Sequence, residues 1–465
     1  MKTRLLLVSS LIAFGFNSQA QWNVQNSNFS AGSRGINSIT LPNDSTGWAV
    51  GYDGSGGAAK IQEYVKTTNG GTTWTQGTIT VPNPATFGIA NISPLNGDTA
   101  WAALFDENGT DVNQGIYRTN DGGANWTRQA TAAYGNGSFT DVVYFWDKNN
   151  GVAIGDPLGG YYEIYTTTDG GTTWVRTPNT GNQLSCSPAA EWGLTNSFAT
   201  FAGTIWFGTD HGRVFKSTDK GLTWTVATTP FLSTTATQSM ISGLAFRDAN
   251  NGLVAKKNAT TTKFDYAATT DGGTTWTSVT STGFNYGGDF CWVPGTSTYV
   301  SVGASYNPAF KGSSMSTDDG ATWLPLEDTA GVPQRTAVAF YSATLGYSGS
   351  FNDNANPADG GMYKWTGALI PYPMAVNSTK AIASSVAVYP NPTAGFLNIA
   401  LNGFAGKKAS VKIFNVIGEQ VYSSENVYET PVYTKHIDLS ALQAGVYVVT
   451  VNDGTQSFVQ RITKQ

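Results

Sequence analysis

The chain has 465 residues, a length that leaves room for two or three domains. Only 12% of its residues are charged, and 26 Lys+Arg stand against 31 Asp+Glu for a formal net charge of −5 with no basic run, which excludes nucleic acid as a partner on electrostatic grounds. His211 and His436 are the only histidines and Cys186 and Cys291 the only cysteines, so a zinc site or a Ser-His-Asp triad has little to build on.

In chain order, residues 1–20 read as a secretory signal peptide. Lys2 and Arg4 precede an apolar run over 5–16, and Ser18-Gln19-Ala20 is a small-x-small cleavage signal before Gln21. The run is too short to span a bilayer, and no other stretch is long and apolar enough, so no transmembrane segment is expected. The mature chain is expected to leave the cytoplasm as a soluble protein.

From residue 21 one template repeats: a β-rich run, a short polar turn, a second run, a variable loop, then a strand entering an eight-residue phrase, Ser/Thr-x-Asp/Asn-x-Gly-x-x-Trp. Run pairs such as 36–41/47–51, 139–146/151–155 and 241–247/252–255 alternate apolar residues between Gly, Asn and Asp punctuation, as short antiparallel strands do. The phrase occurs six times, with Asn69, Asp121, Asp169, Asp219, Asp271 and Asp318 at its third position and Trp74, Trp126, Trp174, Trp224, Trp276 and Trp323 at its eighth. Consecutive tryptophans lie 47 to 52 residues apart, a period that marks a repeat architecture. The phrase has turn chemistry: Gly supplies positive φ, the Asp/Asn carboxyl or amide oxygen accepts turn N–H groups, and the Ser/Thr hydroxyl adds another bond. The Trp then anchors the next strand.

These residues resemble the Asp-box, or BNR repeat, of sialidase-type and related β-propellers. The resemblance implies that the box is a structural turn on the outer edge of each blade, away from the ligand face. A seventh unit, 336–341/346–350 with a third strand at 360–365, has neither box nor fourth strand. Gln21-Trp22-Asn23-Val24 reads like the strands that follow the boxes, such as Trp224-Thr225-Val226-Ala227, and is expected to close that blade and remove two open edges. The fold class expected is all-β: a seven-bladed β-propeller over about residues 21–371, followed by a small C-terminal β-sandwich (Ig-like).

With the boxes and the first–second strand turns on one face, the varied loops must emerge on the other, where binding residues usually lie. The carboxylates and histidine there are Asp53, Asp106, Glu107, Asp156, Glu163, Glu191, Asp210, His211, Asp265 and Asp353. The aromatics are Tyr134, Tyr161, Tyr162, Trp192, Phe231, Phe284, Tyr286 and Tyr306. Acids ringed by aromatics bind a glycan, or hydrolyse one if two carboxylates stand at the right separation. Asp156, in Gly155-Asp156-Pro157-Leu158-Gly159-Gly160, is the first to examine, because that Gly-rich setting resembles a Gly-Asp-Pro loop of secreted Asp-box proteins. Asn352-Asp353-Asn354-Ala355-Asn356-Pro357-Ala358-Asp359 offers oxygens to Ca²⁺ but lacks EF-hand spacing, so no cofactor is expected beyond that possibility, and no metal site. Cys186 and Cys291 fall in different blades, leaving free thiols or a disulfide open.

After Trp365 the composition changes, with a linker over 372–384 and short alternating strands from 385. Tyr389-Pro390-Asn391-Pro392, then Asn415-Val416-Ile417-Gly418, then Gly445-Val446-Tyr447-Val448 and terminal Lys464 resemble the type A sorting domain of the type IX secretion system of Bacteroidetes. That resemblance implies export through the type IX translocon as a partner, and a secreted or outer-membrane surface location. Within the propeller, the Phe-Arg-Ile-Pro motif and arginine triad of Asp-box sialidases are missing, and Arg34 stands in Ser33-Arg34-Gly35-Ile36 instead. Xyloglucan-cleaving relatives use two propellers where this chain has one. In size and blade count it is most similar to photosystem II assembly factor-like propellers, which are non-catalytic. The function expected is binding of an extracellular glycan or protein without catalysis, with a glycoside hydrolase or an adhesive, structural surface protein as alternatives.

Overall fold

The computed structural model describes residues 21–57, 60–177, 184–186, 191–233, 239–258, 260–305, 310–327, 332–367, 369, 386–402, 404, 406–415, 418–430, 432–453 and 457–465. The expected signal peptide, the linker and Tyr306 lie outside them. The chain divides between residues 372 and 373 into two compact units.

The first unit is a ring of seven four-stranded antiparallel blades. Blade 1 holds Arg34–Thr40, Gly47–Asp53, Glu63–Thr67 and Thr75–Thr78; blade 2 runs from Phe87–Pro94 to Thr127–Arg128; blade 3 from Thr140–Phe145 to Val175–Arg176. Blade 4 runs from Gly193–Phe201 to Thr225–Thr228, blade 5 from Ile241–Phe246 to Thr277–Val279, and blade 6 from Asp289–Trp292 to Thr322–Pro325, with Thr282–Gly283 added parallel to its outer strand. Blade 7 takes Ala337–Ser342, Leu345–Asn352 and Gly360–Trp365 from the end of the unit and its fourth strand, Trp22–Asn26, from the beginning, in register from Trp22↔Trp365 to Asn26↔Gly361. The first-strand edge that would otherwise stay open is therefore paired, as the sequence led us to expect.

The first strands of successive blades face the axis and are stitched side to side by buried polar groups. Asn91 donates to the Val143 carbonyl (2.8 Å) and accepts from its amide (2.9 Å), Ser197 Oγ donates to Ile241 O (2.6 Å), and Thr336 Oγ1 donates to Ile36 O (2.6 Å). Each bond satisfies a group that would be costly to bury alone. Farther out, large aromatics fill the wedges between blades. Trp101 of blade 2 stacks on Phe145 of blade 3 at 3.5 Å, with Trp174 edge-on to the same ring at 5.6 Å, and Trp206 of blade 4 repeats this on Phe246 of blade 5 at 3.7 Å.

The repeated phrase folds identically each time. In blade 1 Thr67 Oγ1 accepts the Gly71 amide (2.9 Å) and Asn69 Oδ1 accepts the Thr73 amide (3.0 Å); in blade 5 Thr269 and Asp271 do the same for Gly273 and Thr275, both at 2.9 Å. The fifth position has φ between 79° and 90° in all six copies, which only glycine adopts without strain. The turns also tie blade to blade, since Lys66 Nζ and Lys364 Nζ donate to box carbonyls of the following blades, Gly122 O (2.8 Å) and Gly70 O (2.7 Å).

The second unit is a β-sandwich. One sheet orders Val386–Tyr389, Phe396–Asn402 and Val432–Asp438; the other orders Gln420–Val427, Lys408–Asn415, Gly445–Asn452 and Ser457–Lys464. Its core gathers alternate residues of both sheets, among them Leu397, Ile399, Leu401, Val411, Ile413, Val449, Val451 and Ile462. The sequence markers of this unit converge on one corner. Asn391 donates to Arg461 O and accepts from Thr463 N (both 2.9 Å), while Gly445 pairs opposite Lys464.

Candidate functional site

The phrase turns share a face with the first–second strand turns: Gly70 N donates to Ser45 O (2.8 Å), Gly122 N to Asp98 O (2.9 Å) and Gly170 N to Asn149 O (2.9 Å). On the opposite face, blades 2, 3 and 4 enclose a cavity of about 660 Å³, walled by Phe105, Phe139, Pro157, Trp192 and Leu194 and floored by Asp141 and Asp156.

Two β-bulges aim these acids. Asp141 is the extra residue between Thr140 and Val142, and Asp156 the extra residue between Gly155 and Pro157 on the neighbouring strand. A bulge frees its residue from the ladder and turns it out of the regular alternation, so two carboxyls from adjacent strands reach the same space and hydrogen-bond each other. The Gly193 amide donates to Asp156 Oδ1 at 2.8 Å, whereas Asp141 Oδ2, fully buried, has no N–H or O–H donor. A Cβ on Gly193 would lie 2.4 Å from that oxygen, so glycine is required there. Burial, then the charge of Asp156, pushes the Asp141 carboxyl well above the usual carboxylate range. Burial likewise raises Asp156 to about 7 against the opposing hydrogen bonds from Gly193 and Asp141. Like carboxyls this close do not both ionise, so the pair shares a proton at neutral pH.

The neighbouring acids already have partners. Glu191 is buried and gripped by Arg213 (Nε to Oε1 2.8 Å) and by Thr209 Oγ1 (2.7 Å). Asp210 accepts His211 Nδ1 (2.7 Å) and the Trp192 amide (3.0 Å), and burial still raises its pKa. Through that amide the acid fixes Trp192, which is 40% exposed at the cavity wall with its ring edge-on to His211.

The other residues singled out in the sequence serve elsewhere. Glu163 is buried, accepts the Gly135 amide (2.7 Å) and pairs with Arg176 (3.1 Å). Asp106 is buried, but against the upward push of burial the Thr86 hydroxyl, and then the amides of its own loop such as Thr110 (2.9 Å) and Asp111 (3.0 Å), bring its pKa below the ordinary value. Asp53 pairs with Arg34 (3.3 Å), Glu107 with Lys60 (3.2 Å) and Asp265 with Lys256 (3.6 Å). Asp353 accepts the amides of Ala355 (2.7 Å) and Asn356 (2.8 Å), so its loop uses the oxygen that a cation would need. Tyr134, Tyr162 and Tyr286 are buried in the blades, and Tyr161, Phe231 and Phe284 are partly buried. Among the described residues no group of three or more His, Cys, Asp or Glu side chains is arranged to hold a metal, and Cys186 and Cys291 are free thiols.

Residues 387–465 match the family described as the secretion system C-terminal sorting domain. The C-terminal unit is a type IX sorting domain. The sorting domain marks the chain for secretion or attachment at the cell surface, and no helix among the described residues is long and apolar enough to cross a membrane. No curated protein matches the chain in sequence. Solved structures similar to it include YCF48 from Cyanidioschyzon merolae, with 17% identity over 74% of this chain and 98% of that one and a TM-score of 0.49. YCF48 bound to D1 peptide shares 14% identity over 77% and 99% with a TM-score of 0.48, and Hadza microbial sialidase Hz136 shares 13% over 71% and 65% with a TM-score of 0.39.

Proposed function

We propose that the protein is exported by the type IX system and binds an extracellular carbohydrate, without catalysis, in the loop-face cavity of its propeller. The observation that carries this reading is Trp192, an indole held by its own amide to Asp210 and left exposed beside the buried Asp141–Asp156 pair. A flat ring packs on sugar C–H faces, and carboxyls below it accept hydroxyls. A hydrolase needs two carboxyls about 5–9.5 Å apart, with the scissile bond or a water between them. Asp141 and Asp156 touch each other, and Glu191 is spent on Arg213, so the geometry favours holding a sugar over cleaving it.

Incubating the mature protein with a panel of polysaccharides tests this. Retention without released reducing ends is the expected result, and Trp192→Ala should weaken retention at least about tenfold, as loss of a stacking ring does, without lowering the melting temperature. Released reducing ends would establish a hydrolase; retention of no polysaccharide would leave the spacer or adhesive reading. For export, deleting residues 385–465 should leave a folded propeller in the periplasm, and fusing them to a foreign periplasmic protein should carry it to the surface of a type IX host. A truncated protein that still reached the medium would refute the route.

A further inference from the structure

Around the cavity the acids other than Asp141 and Asp156 have side-chain or amide partners of their own. Glu191 has Arg213, Glu163 has Arg176 and Asp210 shares a hydrogen bond with His211 Nδ1, yet among the described residues no Lys, Arg or His pairs with Asp141 or Asp156. The remaining titratable neighbours, the Tyr134 and Tyr162 hydroxyls and the Cys186 thiol, carry no positive charge. The floor therefore holds two carboxyls, one proton and an Asp141 oxygen that receives no donor. It lacks one positive group with several N–H bonds to give. An ammonium has three donors and a full charge, whereas a sugar hydroxyl has one donor and none.

We propose that the cavity takes a sugar bearing a free basic amine, a hexosamine unit without an N-acetyl group, with its ammonium on Asp141 and Asp156 and its ring against Trp192. This rests on the carbohydrate-binding reading above. The cavity walls suit it: Phe105, Phe139 and Leu194 present apolar surface. The exchange balances in charge and protons. The ammonium enters with its three protons and one proton leaves the pair for solvent, so the charge the cation brings is offset by the charge the pair gains. Binding must therefore release a proton under conditions where the pair holds one and the amine is charged, and an N-acetylated or neutral sugar must not.

The test is calorimetric titration of the mature full-length protein at pH 5.5, in two buffers of different protonation enthalpy. The probes are a glucosamine oligomer, its N-acetylated counterpart, a neutral β-glucan oligomer of equal length, and lysine amide. The expected result is that the glucosamine oligomer binds at least about tenfold more tightly than the other sugars and releases about one proton per site. Asp141→Asn and Asp156→Asn, two near-isosteric changes checked for folding by their melting curves, should each abolish the preference and the proton release. Tighter or equal binding of the acetylated or neutral oligomer would overturn the amine assignment and leave the carbohydrate reading standing. Lysine amide binding as well as the glucosamine oligomer would show that the ring is not read and overturn the sugar. Binding of none of the probes would overturn both readings, and an undiminished preference in both folded variants would remove the acid pair from recognition.

Discussion

The two faces of the propeller use the same residue type in opposite ways. On the phrase face, Asp121 and Asp271 are exposed and their pKa is lowered to about 2, because a neighbouring side chain and then backbone amides donate to them. At the opposite ends of the blades, burial raises Asp156 to about 7 and Asp289 to about 6, the latter although the Phe290 and Val338 amides both donate to it at 2.8 Å. An aspartate supplied with turn amides gives up its proton and its bonding capacity to the fold. One buried away from water keeps a proton even where amides reach it, as at Asp289. Position within the repeat, rather than identity, decides which it becomes.

That contrast can be broken at four places, the largest effect first. Deleting residues 21–27 strips the fourth strand from blade 7, and with it Trp22, which is buried, bonded to Ser313 Oγ (2.9 Å) and stacked under Arg335. Since truncating one buried Trp costs about 3–5 kcal/mol, denaturation of the deletion variant should show a larger loss, and an unchanged melting curve would refute the closure. Trp174→Ala should cost about 3–5 kcal/mol by equilibrium denaturation, as for other buried aromatics; no loss would mean the phrase Trp is not a packing anchor.

Next comes pH. Asp156 and Asp289 have folded pKa values above 3.8, so the stability they contribute is full below that value and is lost as pH rises through about 6 and 7. The phrase aspartates have lowered values, so theirs is present above 3.8 and is lost as pH falls through about 2. Stability should therefore peak in mildly acid solution and fall by on the order of a few kcal/mol towards pH 8. Asp156→Asn should flatten that upper limb; a melting temperature independent of pH from 5 to 8 would contradict the shared proton. Smallest is Asp219→Ala, which removes acceptors for the Thr223 amide (2.8 Å) and hydroxyl and should cost about 1–2 kcal/mol. A loss as large as that of Trp174→Ala would place the weight of the phrase on its acid.

Much of the fold was legible because its signals are local. The phrase marks the third-to-fourth strand turn of blades 1 to 6 with Gly at positive φ, and the blade 7 closure could be read from the likeness of residues 21–24 to the other fourth strands. Asp156 could be picked out of its Gly-Asp-Pro setting. Asp141 could not: it lies early in an apolar run that reads as an unbroken strand, and only a bulge one residue long turns it to the cavity. Glu163, Glu191 and Asp210 looked free because Arg176, Arg213 and His211 meet them through strand pairing and folding, which spacing along the chain does not report. Tyr286 looked like a loop aromatic, but it is buried, with the end of its ring packed against Gly312.

The pairing of Trp22–Asn26 with Gly360–Trp365 also sets an order of events. Blades 1 to 6 are each built from neighbouring strands and can form as synthesis proceeds, but the first strand waits for a partner made more than 300 residues later. Loop-closure entropy grows only slowly with length, so the delay adds little free-energy cost; its consequence is temporal. Until the seventh blade emerges, the ring is an arc with a sticky edge at each end, the state in which a chain most readily pairs with the wrong neighbour. A chain caught at that stage should be the one that chaperones hold and proteases find, and the last strand of the propeller is the one that seals it.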